Sequence, residues 1–154
     1  MRSLSILLLV GACAAPTESM TLDFPSRDTF VRSENAEVYV IPLADDDLNA
    51  CPRLLADAEV SGLDEMSTGS ASVCDFQEGA VSYPDAPEGA VAYVAVARSV
   101  SGEVLLSGCT IRNVYLDDED LQIVLVPTEG YRDAFRNAPE ETCTAAAKCG
   151  GGCR

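Results

Sequence analysis

The chain predicts an all-β fold: a small antiparallel β-sandwich of about seven strands, with one short helix and a cysteine-rich C-terminal tail. Three observations carry this prediction. From Thr29 onward, short runs of β-branched and aromatic residues stand between turn clusters, and almost nothing long repeats at a helical period, which is the pattern of antiparallel sheet. Hydrophobic residues make up 47% of the 154 residues, enough for one core at a size where folding buries roughly 70 per cent of the unfolded surface. Three of the seven cysteines, Cys143, Cys149 and Cys153, crowd the end of the chain beside a triple glycine.

The candidate strands are residues 29–32, 37–41, 73–76, 80–83, 90–99, 104–116 and 121–126. The run 37–41 ends at Pro42, which has no N–H to continue a ladder. In Leu121-Gln122-Ile123-Val124-Leu125-Val126 one face is wholly apolar and the other is polar only at Gln122, which predicts a central strand. Residues 90–99 and 104–116 are joined by Val100-Ser101-Gly102-Glu103, and Gly102 supplies the positive φ that a tight hairpin loop requires. In the first arm Ala90, Ala92, Ala95 and Ala97 interleave with Val91, Tyr93, Val94 and Val96, so it can be buried on both faces. Gly108 in the second arm marks a bulge or a close backbone approach, a point where that arm can divide.

The helix is expected over residues 52–58, because proline is tolerated at a first helical position and Leu54, Leu55 and Ala58 share a face. Asp45, Asp46 and Asp47 lie upstream, where negative charge meets the positive end of the helix dipole. A second short helix starts near Tyr131, with Phe135 as its anchor and Pro139 as its stop.

The first residues carry a different message. Met1-Arg2-Ser3 is a positive start, Leu4 to Val10 an apolar run, and Gly11-Ala12-Cys13 a pair of small residues before a cysteine. A transmembrane helix needs about 20 apolar residues, and this run is broken by Pro16-Thr17-Glu18. The order of features resembles an export signal, and Val10-Gly11-Ala12-Cys13 resembles the lipobox of bacterial lipoproteins. The resemblance implies a diacylglyceryl group on the Cys13 sulfur, loss of residues 1–12 and acylation of the new amino terminus. It also implies a lipid-anchored place in the bacterial cell envelope, with the outer membrane favoured because Ala14 stands where an inner-membrane retention aspartate would be. The domain organisation then reads as a signal peptide at 1–12 and a lipidated N-terminus and flexible tether at 13–27. A β-sandwich follows at 28–130, and a short helix with a Cys/Gly-rich tail at 131–154. Extended at about 3 Å per residue, the tether reaches on the order of 40 Å.

Within the body, Ala86-Pro87-Glu88-Gly89-Ala90-Val91-Ala92-Tyr93 followed by Val94-Ala95-Val96 resembles the proline-glycine entry into a strand of transthyretin-like, carboxypeptidase-regulatory-like domains. The likeness covers residues 37–126 and implies a structural or adhesive module.

Ten basic against 25 acidic residues give a net charge of −15, with Lys148 the single lysine. Clustered Lys and Arg are what phosphate backbones demand, so nucleic acid is excluded as a partner. The absence of histidine removes Ser-His-Asp and Cys-His catalysis and the usual catalytic zinc sites. A Ser-Lys site would have to use Lys148, set between Ala147 and Cys149 beside Gly150-Gly151-Gly152, a poor place to hold and desolvate an amine. The expectation is a protein that is not an enzyme.

Setting Cys13 aside leaves Cys51, Cys74, Cys109, Cys143, Cys149 and Cys153, an even set in a chain bound for an oxidising compartment, where disulfides persist. Sequence alone does not choose among the connectivities. Spacing favours Cys51 with Cys74, Cys109 with Cys143, and Cys149 with Cys153. Three cysteines in the body and three in the tail require at least one bridge between them. Free, the tail thiols could instead bind a soft metal such as Zn²⁺ or Cu(I).

Asp45-Asp46-Asp47-Leu48-Asn49 invites comparison with an EF-hand loop and fails it, with Ala50 in place of the glycine and Ala56 in place of the bidentate glutamate. Together with Asp117-Asp118-Glu119-Asp120, however, Asp45, Asp47, Asp117, Asp118 and Asp120 form a candidate Ca²⁺ set if the fold unites the loops. The leading expectation is a lipid-anchored, non-enzymatic binding or structural module without a cofactor, held to the membrane by its lipid and engaging an unidentified protein or glycan. Two alternatives are a calcium-dependent carbohydrate or surface adhesin module, and a thiol-based metal-binding or redox protein acting through the C-terminal cysteines.

Overall fold

A computed structural model describes residues 20–44, 47, 49–60, 66–82, 86, 89–113 and 120–153. The described chain opens with β1 (Met20–Asp23), whose Met20 and Leu22 point inward, and turns at once into helix α1 (Arg27–Arg32). Ser26 starts that helix by a capping box: its hydroxyl accepts from the Thr29 N–H at 3.2 Å while its own N–H donates to Thr29 Oγ1 at 3.2 Å. After β2 (Asn35–Pro42) come helix α2 (Cys51–Val60), the short strands β3 (Met66–Ser67) and β4 (Ala71–Ser72), and helix α3 (Val73–Gln77). The long hairpin is β5 (Ala90–Arg98) and β6 (Val104–Asn113), and its loop runs through Gly102 at φ +84° as expected. β7 (Leu121–Val124), β8 (Val126–Pro127), α4 (Glu129–Phe135) and α5 (Ala145–Cys149) complete the fold.

The main sheet is antiparallel in the order β3-β2-β5-β6-β8, with β4 also pairing β2. Its centre is buried on both sides. One face, formed by Ala36, Val38, Val40, Val91, Tyr93, Ala95 and Ala97, packs with Met20, Leu22, Phe30, Val73, Phe76, Leu121 and Ile123. The other, formed by Tyr39, Ile41, Ala92, Val94 and Val96, packs under Ala50, Leu54 and Ala58 at α2. The doubly buried first arm expected of residues 90–99 is therefore present as β5.

The fold is mostly antiparallel sheet, as expected, and among the described residues it carries five short helices rather than one and no second antiparallel sheet packed on the first. One face of the sheet is covered by α2, and the other by short helices and a two-stranded parallel ribbon, β1 with β7. Residues 29–32 and 73–76, expected as strands, lie in α1 and α3, because Ser26 and Ser72 cap them and Val73 and Phe76 turn inward at helical spacing. No strand forms over residues 80–82, and Tyr83 lies outside the described residues. Residues 121–126 are not one central strand: β7 leaves the main sheet to pair with β1, and β8 makes a two-residue edge on β6. Residues 20–27, read as the end of a tether, are built into the fold as β1 and the start of α1.

Gly108 marks the close approach rather than a division, since β6 runs unbroken past it. A Cβ there would run into the backbone carbonyl oxygen of Val124 and come within 3.1 Å of Ile123 Cγ2 and Leu125 Cδ2. The missing side chain is what lets β7 lie across the sheet. The helix expected at 52–58 and the one expected from Tyr131 to before Pro139 are both present, as α2 and α4.

Candidate functional site

The most elaborate set of polar contacts joins α1 to the C-terminal tail, and Arg32 is its hub. Its Nε donates to Asp28 Oδ2 at 2.7 Å, its Nη1 stands 3.0 Å from Glu141 Oε1, and its Nη2 donates to the Pro139 carbonyl at 2.8 Å. The guanidinium also lies 4.4 Å from the centroid of the Phe135 ring, a cation–π contact. Asp28 accepts from the Glu141 N–H at 2.6 Å and from the Tyr131 hydroxyl at 3.1 Å. The Arg32 hydrogen bond holds the Asp28 carboxyl below its ordinary pKa, against the opposing pull of burial. Burial pushes the Tyr131 hydroxyl up, and its bond to Asp28 adds to this.

Lys148 closes the same clasp one helix further on. Its side chain is only 13% exposed, and its amine donates to the Val31 carbonyl at 3.0 Å and to Glu34 Oε2 at 3.2 Å. The expectation that this lysine is poorly held is thus corrected: α5, capped by Thr144 accepting from the Ala147 N–H, seats it against α1. The amine is committed to structure.

The six cysteines after Cys13 pair as Cys51–Cys109, Cys74–Cys149 and Cys143–Cys153, with Cα separations of 5.6, 5.4 and 6.0 Å. This corrects the pairing that spacing favours. Cys51 begins α2 on one face of the sheet, where Cys109 also packs, whereas Cys74 lies in α3 against the core of the opposite face. The sheet therefore separates Cys51 from Cys74, the next cysteine along the chain. The bridge between body and tail that the counting requires is Cys74–Cys149. Because Cys149 is taken by Cys74, the three tail cysteines do not form one thiol set. Among the described residues there is no group of three or more Cys, Asp or Glu placed to hold a metal.

Between the clasp and the hairpin lies a groove of about 830 Å³. Its lining includes Val31, Glu34, Val100, Glu141, Cys143 and Lys148. Val100, at the hairpin tip, is 89% exposed. The groove presents the carboxylates of Glu34 and Glu141, the Lys148 amine, the hydroxyls of Thr142 and Thr144 and the Cys143–Cys153 disulfide.

Of the other expected site residues, only Asp47 and Asp120 are described. Cys13, Asp45, Asp117 and Asp118 lie outside the described residues. Asp47 pairs with Arg53 at 3.1 Å, and the Asp120 carbonyl accepts from Arg112 Nη2 at 2.8 Å. The register sets Pro42 beside Val91 and Val91 beside Arg112, so Asp47 and Asp120 follow strands that end at the same edge of the fold. Sequence reasoning missed Asp28, Arg32, Tyr131 and Glu141. The available signal was the i,i+4 pair Asp28 and Arg32 behind a Ser-x-x-Thr cap. Comparison with known proteins finds no matching family model, no matching curated protein and no matching solved structure.

Proposed function

We propose that this chain is a bacterial lipoprotein of the cell envelope, anchored through Cys13, that works without catalysis as a binding or structural module, with the groove beside the clasped tail as its binding surface. The observation that supports this reading most directly is the cysteine pairing. All six cysteines after Cys13 bond with one another, a set that calls for an oxidising compartment and leaves the seventh cysteine at the lipobox-like position. The clasp supports the non-catalytic part, since the single lysine is held by the Val31 carbonyl and Glu34 and the chain has no histidine. The outer membrane is the favoured location, from the residue after Cys13.

Mass spectrometry of protein extracted from membranes, without reduction, tests the anchor and the bridges together. The expected result is a mature chain starting at acylated Cys13, carrying cross-linked peptides for the three bridges. An unmodified Cys13 in a chain that still bears residues 1–12 would refute the anchor. Several free thiols under denaturing conditions would refute the oxidised form.

A further inference from the structure

We infer that the anchored domain stands on end, with the start of β1 toward the lipid headgroups and the β5–β6 hairpin and groove turned away from them. This rests on the lipidation of Cys13 proposed above. The folded body begins at Met20, which is buried and paired in register with Leu121. Whatever course the intervening chain takes, the seven steps from Cys13 to Met20 span no more than about 25 Å. A tether running to residue 27 would have allowed about twice that, enough for the body to tumble freely.

The position of Met20 in the fold then fixes what faces the bilayer. β1 runs parallel to β7, so Met20 lies where Asp120 enters β7. Arg112 reaches the Asp120 carbonyl, and Arg112 is beside Val91 and Val91 beside Pro42. These residues make one end of the molecule. At the other end Asn35 pairs with Arg98 and Arg98 with Val104, and beyond them stand Val100 and the groove wall at Glu34. The nine residues of β5 span both ends, about 30 Å at 3.4 Å per residue. A body with a net charge of −15 is repelled by an anionic leaflet within the Debye length, about 8 Å at physiological salt. The bilayer surface and this repulsion disfavour laying the length of the sheet along the leaflet, while a tether shorter than that length keeps the Met20 end the nearer one.

The chain contains no tryptophan, so single tryptophans report position without background. Gln122→Trp places one at an exposed site beside Thr21 near the anchored end, and Val100→Trp places one at the hairpin tip. Lipidated protein is reconstituted into phosphatidylethanolamine and phosphatidylglycerol vesicles carrying a dansyl-labelled headgroup. Vesicle flotation and urea midpoints check anchoring and folding. Energy transfer several-fold stronger from Gln122→Trp than from Val100→Trp is expected. Equal transfer from both sites, or stronger transfer from Val100→Trp, overturns the orientation with the anchor intact. Protein that fails to float overturns the anchor itself, and the orientation with it.

Discussion

Replacing Arg32 by alanine should uncouple the tail from α1. The arginine is 11% exposed and makes three contacts of 2.7, 2.8 and 3.0 Å to Asp28, the Pro139 carbonyl and Glu141. Hydrogen bonds to charged groups contribute about 1.5–3 kcal/mol each. Their sum is not recovered, because Asp28 and Glu141 remain 26% and 36% exposed and water reaches both once the guanidinium is gone. Asp28 also keeps the Glu141 N–H and the Tyr131 hydroxyl. The expected loss is therefore about 2 kcal/mol, between an exposed pair and a fully buried one. Arg53→Ala is the control, since its pair with Asp47 is 63% and 41% exposed and should contribute under about 1 kcal/mol. Arg32→Lys keeps the charge but not the fork, so it should restore less than half of the loss. Urea titrations followed by far-ultraviolet circular dichroism, with the disulfides intact, measure all three. If Arg32→Ala costs no more than Arg53→Ala, the tail is held by its disulfide alone and the clasp is incidental.

Gly108→Ala should destabilise the fold by about 1–3 kcal/mol, because the added methyl meets the Val124 carbonyl oxygen rather than a pliable side chain. A strand glycine without such a neighbour would gain roughly 0.5–1 kcal/mol from the same change, so a raised urea midpoint would dismiss the close approach. Asp28 sets a pH dependence: its folded pKa is depressed, so its stabilisation is fully present above the ordinary carboxylate value near pH 4 and is lost as pH falls through the folded value. Asp28→Asn should be less stable at neutral pH and show a shallower decline of urea midpoint as pH falls from about pH 5 to pH 2, and parallel declines would contradict the assignment.

The parts of the fold legible in the sequence are those that a single run of residues specifies. The β5–β6 hairpin is one such part, with Gly102 at its turn and two apolar faces on β5. Helix α2 is another, with Pro52 near its start. The misread parts are short or depend on distant partners. Thr29-Phe30-Val31 and Val73-Cys74-Asp75-Phe76 carry strand-forming residues, yet one serine before each and a core that accepts one face make them helices. β1 has four residues whose partner strand lies about a hundred positions away, and nothing local announces such a pair. The site was less legible than the fold. Neither the face of the sheet on which a cysteine lies nor the seat of Lys148 on Val31 is encoded in chain spacing.

The interleaving of Cys51–Cys109 with Cys74–Cys149 bears on how the molecule is made. A chain delivered amino end first brings Cys51 and Cys74 into an oxidant well before Cys109 arrives, and these two would be joined first if oxidation simply followed arrival. That bridge would tie together segments that belong on opposite faces of the sheet. Correct maturation therefore requires either that oxidation wait until β6 has emerged, or that a thiolate later attack the premature bridge and exchange it for the native one. On the export route proposed above, wherever oxidation runs ahead of β6, the yield of this domain measures the isomerising capacity of the compartment that receives it.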